Sequence, residues 1–467
     1  MHQSTNSVSR PVDELFAHSD TICIHSQTHI TGFAIAINAN ILPAFDQLGL
    51  MEEIARIGLS CTSINLLNQK LEDIGTFDLE CQKIKVGYYT YLFHRPDLYN
   101  LLLSRVPAEN ISFNKKIIRY EQDKDGVTIY ISDNETHRGD ILVGADGCYS
   151  TVRKLMFEQM AQTNTVSVKD SLGMKVTHVG IVGTTKPLDP EKYPALKDKH
   201  GFFSCIIGED KLHTWMFVTI PGNRIGYIIQ EQLNAKDSKK DIATLRSTRL
   251  TPEAKDKLIK DTYQLPINHV HRKDLATVQD YHQRTLGDLI ENTDPDKISH
   301  ILFEEQLLET WHHGRTVLIG DACHRMNPST GQGAVNAFQD AVILVNCLYD
   351  LLGDDDDDDN GSLSVEKISE AFKDYRDQRF PHAKFELKNA NMLGKVISGQ
   401  KLSERILRMI VTKLPSRLRQ KIVMSKMGYR PQVNFLPRIP DPPNFTIFKQ
   451  KPSKRHMQET KVDDQDG

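Results

Sequence analysis

The spacing of apolar positions changes several times along the chain, and each change marks a different kind of element. Thr21-Ile-Cys-Ile-His25 is a short apolar run of strand type, and Gly32-Phe-Ala-Ile-Ala-Ile-Asn-Ala-Asn-Ile-Leu-Pro-Ala-Phe-Asp-Gln-Leu-Gly-Leu50 leads from a strand into a helix. Between residues 62 and 91 apolar and polar side chains alternate, as in Ser63-Ile-Asn-Leu-Leu-Asn68 and Gly75-Thr-Phe-Asp-Leu79, which predicts antiparallel strands. Residues 97–106 read as a helix. Ile111-Ser-Phe113 and Val127-Thr-Ile-Tyr-Ile131 read as strands, with Asp125-Gly126 as a hairpin turn. A second strand-rich stretch runs from about residue 171 to 230 and includes Gly201-Phe-Phe-Ser-Cys-Ile-Ile207 and Thr214-Trp-Met-Phe-Val-Thr-Ile220. Residues 233–290 are charged and helical in pattern.

After that stretch the chain writes a strand, a carboxylate, a glycine loop and a helix start in one passage, Thr316-Val-Leu-Ile-Gly-Asp-Ala-Cys-His-Arg-Met-Asn-Pro-Ser-Thr-Gly-Gln-Gly-Ala-Val-Asn336. Val317, Leu318 and Ile319 suit a parallel strand covered on both faces. Asp321 follows at the carboxyl end, where open α/β sheets bind ligands. Pro328, Gly331 and Gly333 make a tight loop whose backbone can approach a ligand, and the helix starting near Gly333 aims its positive end at the same place. A cofactor ring that becomes anionic on reduction would be stabilised there.

On these residues the chain resembles the FAD-dependent aromatic-hydroxylase type of monooxygenase, the p-hydroxybenzoate hydroxylase family. A second signature supports the resemblance: Ile141-Leu-Val-Gly-Ala-Asp-Gly-Cys-Tyr-Ser-Thr-Val-Arg153, with Ser150 and Arg153 also matching. The resemblance implies that Asp321, next to Gly320, binds the ribityl chain of FAD, and that Asp146, Gly147 and Arg153 serve FAD and the nicotinamide cofactor. It places Arg95 in Phe93-His-Arg-Pro-Asp-Leu98 as an FAD-contacting arginine, assigns Pro328, Gly331, Gln332, Gly333 and Asn336 to the flavin loop, and matches Tyr375-Arg-Asp-Gln-Arg-Phe-Pro381 to the helix after it. Arg430-Pro-Gln-Val-Asn-Phe-Leu-Pro437 is similar to fungal members, including those of terpenoid-type secondary metabolism. The implied fold class is α/β (α+β): a Rossmann-like FAD-binding domain, incomplete at its N-terminus, with an inserted antiparallel-sheet substrate domain and C-terminal helices. The implied chemistry is reduction of FAD by NAD(P)H, reaction with O₂, and transfer of one oxygen atom to a small apolar or aromatic substrate as a hydroxyl or epoxide. No side chain need act as a catalytic acid, base or nucleophile, so none is assigned. His324 reads as a structural or flavin-packing residue of the motif.

The family opens with a strand, a Gly-x-Gly-x-x-Gly turn and a helix that close on the FAD pyrophosphate. Here the first glycine is Gly32, and the single Gly-x-Gly is Gly331-Gln332-Gly333. His25 falls where the family carries an acid for the adenosine ribose, and an imidazole cannot accept the paired ribose bonds as a carboxylate does. Loss of about the first βα unit is the expectation, either through a truncated gene model or splice form, or in a short flavin-free relative acting as a scaffold or partner-binding protein. The domain reading is a divergent segment at 1–31; a discontinuous FAD-binding domain at 32–60, 92–165 and 295–352; a substrate domain at 61–91 and 166–294; an acidic loop at 353–363; a helical region at 364–430; and an extended tail at 431–467.

Composition narrows the remaining classes. The 467 residues are 39% hydrophobic and 25% charged with a formal net charge of −3, which reads as globular with no global footprint for nucleic acid. No uninterrupted apolar run reaches the ~18 residues of a membrane span, and the N-terminus lacks a secretory pattern. An intracellular protein, cytoplasmic or peripherally attached to a membrane, is therefore expected. The seven cysteines stand singly, which fits reduced thiols better than disulfides or a zinc site. The six aspartates at 354–359 read as a solvated loop without metal geometry. Residues 401–426 carry eight Lys or Arg against Glu404 alone, with Leu402, Ile406, Met409, Ile410, Leu414, Leu418 and Ile422 at helical spacing around Pro415. Packing against the body and peripheral membrane contact are both open for that segment. Phe202, Phe203, Trp215 and Phe217 either pack a core or line a substrate cavity.

Overall fold

The computed structural model describes residues 21–22, 34–208, 213–234, 236–237, 240–267, 284–328, 331–352, 363–398 and 401–455. Expectations for residues 1–20, His25, Gly32, the aspartate run at 354–359 and the tail past 455 lie outside the described residues. The chain opens with β1 (Thr21–Ile22), β2 (Ile35–Ile37), α1 (Leu42–Gln47) and α2 (Met51–Ile57). β3 (Leu59–Asn68), β4 (Asp73–Asp78), α3 (Glu80–Val86), β5 (Thr90–Phe93) and α4 (Arg95–Leu103) follow. β6 (Ile111–Ser112) precedes the meander β7 (Ile117–Gln122), β8 (Val127–Ile131) and β9 (Thr136–Gly139), which leads to β10 (Leu142–Gly144) and α5 (Thr151–Gln162). The middle of the chain holds β11 (Lys175–Thr184), β12 (Gly201–Ile207), β13 (His213–Ile220) and β14 (Arg224–Gln232), then α6 (Ile242–Arg249), α7 (Pro252–Thr262) and α8 (Leu286–Glu291). β15 (Ser299–Leu307), β16 (His312–His313), β17 (Thr316–Leu318) and β18 (His324–Arg325) come next. The last helices are α9 (Gly333–Leu352), α10 (Val365–Ser398), α11 (Leu402–Lys413) and α12 (Ser416–Ser425).

Alternation along β12 to β14 gives a mixed sheet two covered faces. In the ten-stranded sheet β18-β15-β11-β14-β13-β12-β3-β5-β2, with β4 on β3, the pairs Trp215↔Ile229 and Phe217↔Tyr227 point one way and Met216↔Ile228 the other. The first face is closed by Leu258 of α7 and by Leu286 and Leu289 of α8. The second is closed by Ile397 of α10, Val411 of α11 and Val423 of α12. Phe202, Trp215 and Phe217 lie in the first cluster, and Trp215 Nε1 donates to the Pro266 carbonyl at 2.7 Å. These three aromatics are core, each stabilising the fold by about 1.5–3 kcal/mol of burial. Phe203 packs on the second face, partly buried.

One stretch departs from the strand pattern. Residues 80–86 form a helix because Cys81, Gln82 and Val86 bury one helical side, and Gly87 ends it in the left-handed conformation at φ 86°.

Within the large sheet β12 runs parallel to β3, and outside it two separate parallel pairs are found among the described residues. β1 lies parallel to β6, and β10 lies parallel to β17, with β16 on the far side of β17. Among the described residues β10 pairs with β17 alone, and Val143 on it is 37% exposed. Helix α9 is long and apolar enough to cross a membrane by length and composition. It is a core helix: Asn336, Gln339, Asp340 and Asn346 are buried along it, and it packs lengthwise on α10. The mixed architecture with an antiparallel-rich inserted sheet is the fold class that the sequence predicts.

Candidate functional site

The two signature turns leave neighbouring parallel strands at the same end. Gly144 of β10 is in register with Leu318 of β17, and the Ile319 N–H donates to the Gly144 carbonyl at 3.1 Å. One residue past β10 the chain turns through Asp146-Gly147, and just past β17 through Gly320-Asp321-Ala322. Gly147 (φ 80°) and Gly320 (φ 61°) are both left-handed, a conformation that costs a side-chain-bearing residue about 1–2 kcal/mol. Asp146 and Asp321 therefore share one edge of the molecule, though their carboxylates do different things.

Asp146 accepts the N–H groups of Thr151 (2.7 Å) and Val152 (3.1 Å) and the Ser150 hydroxyl, so it caps the start of α5. Ser150 Oγ completes the cap by accepting the Arg153 N–H at 2.9 Å. The Arg153 guanidinium then donates to the Cys148 carbonyl at 2.6 Å and the Ala322 carbonyl at 2.9 Å, tying the first turn to the second. Burial pushes Arg153 below the usual guanidinium range. Asp321 is half-buried and paired with Arg325 of β18, four residues on. Beside them the Tyr149 hydroxyl donates to both oxygens of buried Glu304, at 2.5 and 2.6 Å, with the Arg246 guanidinium 4.0 Å above its ring. Strand β15 and helix α6 are thereby joined to the Asp-Gly turn.

Behind the flavin-type motif lies a buried ionic network that the sequence did not announce. Asp340 on α9 is fully buried and accepts from Arg379 Nε (2.7 Å) and the Gly320 N–H (2.8 Å), with His324 Nε2 at 2.6 Å. Arg379 on α10, also fully buried, reaches Asn336 Oδ1 at 2.9 Å. Burial opposes the charge on Asp340, but the neighbouring His324 and Arg379 hold it below the ordinary carboxylate range. His324 packs against the Trp311 ring at 5.2 Å, a structural placement. The donor atoms of Cys323, His324 and Asp340 lie within 4.8 Å of one another, but the Arg379 guanidinium engages the same carboxylate and burial pushes the Cys323 thiol well up, so the cluster is an ion-paired core rather than a ligand set. The available sequence signal was the polar set Asn336, Gln339 and Asp340 on one side of an otherwise apolar helix.

In the glycine loop, the Gly331 N–H donates to the Pro328 carbonyl at 2.9 Å, and Gly331 is left-handed at φ 63°. The Gln332 carbonyl accepts from Asn336 through its N–H (2.9 Å) and Nδ2 (3.0 Å), and Gly333 opens α9. Pro328 is exposed, whereas Gln332 and Asn336 are buried. Beside Gln332 is a cavity of about 220 Å³ lined by Asn40, Gln339, His382, Phe385 and Tyr429. Arg95 is exposed at the start of α4 and makes none of the bonds that join the two turns. Its helix is linked to the loop through packing: Leu98 shares a cluster with Val335 of α9.

These residues fit the ring and ribityl half of an FAD. A Cβ at Gly147 or Gly333 would meet nothing within 4 Å, and one at Gly331 would meet only Ala36 at 3.9 Å, so the backbone of the Asp146-Gly147 turn and of the glycine loop is open to close approach, whereas a Cβ at Gly320 would meet Ala337 at 3.1 Å. The first turn of α9 adds N–H groups without helical partners. A glycine turn for the pyrophosphate is not among the described residues.

A family model described as an FAD binding domain matches residues 21–360. The chain is 24% identical over 433 residues to the FAD-dependent monooxygenase dpasE of Apiospora sacchari, covering 91% of this chain and 83% of that protein. It is likewise 24% identical to the FAD-dependent monooxygenase atmM of Aspergillus flavus, covering 87% and 79%. Among solved structures, Klebsiella pneumoniae HpxO complexed with FAD and uric acid shares the fold at a TM-score of 0.60 and 19% identity, covering 86% of this chain and 88% of that one. With both signature turns meeting at one sheet edge, the chain belongs to the FAD binding domain family and is a flavoprotein monooxygenase of the p-hydroxybenzoate hydroxylase type.

Proposed function

We propose that the protein is an FAD- and NAD(P)H-dependent monooxygenase that places one atom of O₂, as a hydroxyl or epoxide, on an apolar or aromatic small molecule, in the manner of secondary metabolism. The observation that carries the reading is the meeting of the Asp146-Gly147 and Gly320-Asp321 turns across β10 and β17. FAD, when bound, supplies the redox chemistry and the activation of O₂. Asp321, at the strand end, would accept from the ribityl hydroxyls, and its pairing with Arg325 aims the carboxylate. The backbone at Gln332 and Gly333, with the positive end of α9 behind it, favours negative charge at the ring. Arg153 holds the two turns together, and Asp340 fixes the Gly320 N–H and His324 against α10. No side chain takes a proton in this reading; the protein orients the substrate and excludes water. The uric acid in the HpxO structure supports a small-molecule substrate.

A second reading, a flavin-free scaffold, is favoured by one observation: β10 pairs only with β17 among the described residues, and Val143 is left exposed. Purification followed by addition of FAD separates the two. The first reading expects yellow protein whose NAD(P)H oxidation consumes O₂; protein that stays colourless in excess FAD, with no NAD(P)H oxidation, sinks it.

A further inference from the structure

Helix α11 has two apolar sides, and only one of them is used. Val411 joins the cluster under the sheet, Thr412 is buried, and a Cβ on Gly75 of β4 would sit 3.4 Å from the Thr412 Cβ. The other side carries Leu402, Ile406, Met409 and Ile410, whose spacing puts them on one helical face. They are 75, 45, 49 and 54% exposed, and Leu418 and Ile422 extend the surface onto α12. Leaving such side chains in water forgoes burial energy that the same residues would gain in an apolar medium. Around them stand exposed Lys401, Arg405, Lys413, Arg417 and Lys421, and Glu404 is the only acid between residues 401 and 426.

We propose that this face docks the protein on an anionic lipid bilayer, with α11 and α12 lying in the headgroup layer, the isoleucines and leucines inserted and the cations over the lipid phosphates. Charge complementarity selects this occupant. Apolar residues flanked by cations with almost no acid match an interfacial helix, whereas protein interfaces are depleted in lysine at their centres. The docking goes beyond the oxygenase reading and does not depend on flavin content.

The test is co-sedimentation of the full chain with phosphatidylcholine vesicles, with and without phosphatidylserine, at low and high salt. The chain is expected to pellet with the phosphatidylserine vesicles and to be released by salt. The Ile406→Asp/Ile410→Asp pair should weaken binding at least about tenfold, and Lys413→Glu and Lys421→Glu should each weaken it about fivefold or more on the anionic vesicles alone. All four positions are exposed, so thermal unfolding should stay unchanged. A chain that remains in solution with both vesicles overturns the proposal, as do variants that bind like the parent. A chain that ignores vesicles but self-associates through this face, and is dispersed by the isoleucine pair, assigns the face to a protein partner and overturns it equally.

Discussion

Replacing Asp340 with alanine gives the sharpest test of how the flavin motif is held. The carboxylate is fully buried and meets Arg379 at 2.7 Å, His324 at 2.6 Å and the Gly320 N–H at 2.8 Å. Alanine keeps the helix but leaves the Arg379 charge buried with one acceptor fewer, a loss of about 3–5 kcal/mol for a broken buried pair. Against a typical total of about 5–15 kcal/mol, that is a large fraction of the stability. Urea unfolding of Asp340→Ala, Arg379→Met and the double variant closes the cycle. Because the second substitution removes the stranded charge, the double variant should be more stable than the sum of the single losses predicts by about 1.5–3 kcal/mol. A single-variant loss below about 1 kcal/mol, or strict additivity, would show that the network does not carry the energy assigned to it. FAD affinity should fall in the single variant as well, since the Gly320 turn loses its anchor.

Burial lowers His178 to about 4, so it stays neutral when folded but protonates near 6.5 when unfolded. The folded state thus binds fewer protons between those values, and stability is complete above pH 6.5 and falls by up to roughly 3 kcal/mol as pH drops toward 4. In His178→Gln this part of the pH dependence of urea unfolding should flatten; an unchanged slope would refute the assignment. Arg153→Met deletes the bonds to the Cys148 and Ala322 carbonyls and should cost about 1.5–3 kcal/mol in unfolding measurements. A loss confined to surface-mutation noise would mean that the two turns are held by strand pairing alone. In Gly331→Val the added Cβ would meet Ala36 at 3.9 Å, an ordinary contact, so the left-handed backbone alone costs about 1–2 kcal/mol or more. Its FAD affinity, by fluorescence titration, should also fall, and wild-type affinity would place the ring elsewhere.

Much of the architecture was legible because it is local. The strand-rich stretch holding β13 and β14 was recognisable, and the strand, carboxylate, glycine loop and helix of 316–336 were readable in order. The pair of basic amphipathic helices was equally visible, since helical spacing survives in sequence. What alternation cannot say is which covered face a strand residue enters. Phe202, Trp215 and Phe217 were candidates for a cavity lining, and only the docking of α7 and α8 made them core. Nor does a motif state what its carboxylate is bonded to. Asp146 turned out to cap α5, and the Asp340 to Arg379 bond spans 39 residues between two helices. Arg95 carries a family-like context yet stands exposed, outside the bonds that join the turns. The chain by itself settled the elements and their order, because backbone geometry imposes short repeats on the apolar pattern. The partners of its buried charges were decided only when distant segments packed, because desolvation penalises every unpaired charge and only the folded arrangement supplies the neighbours.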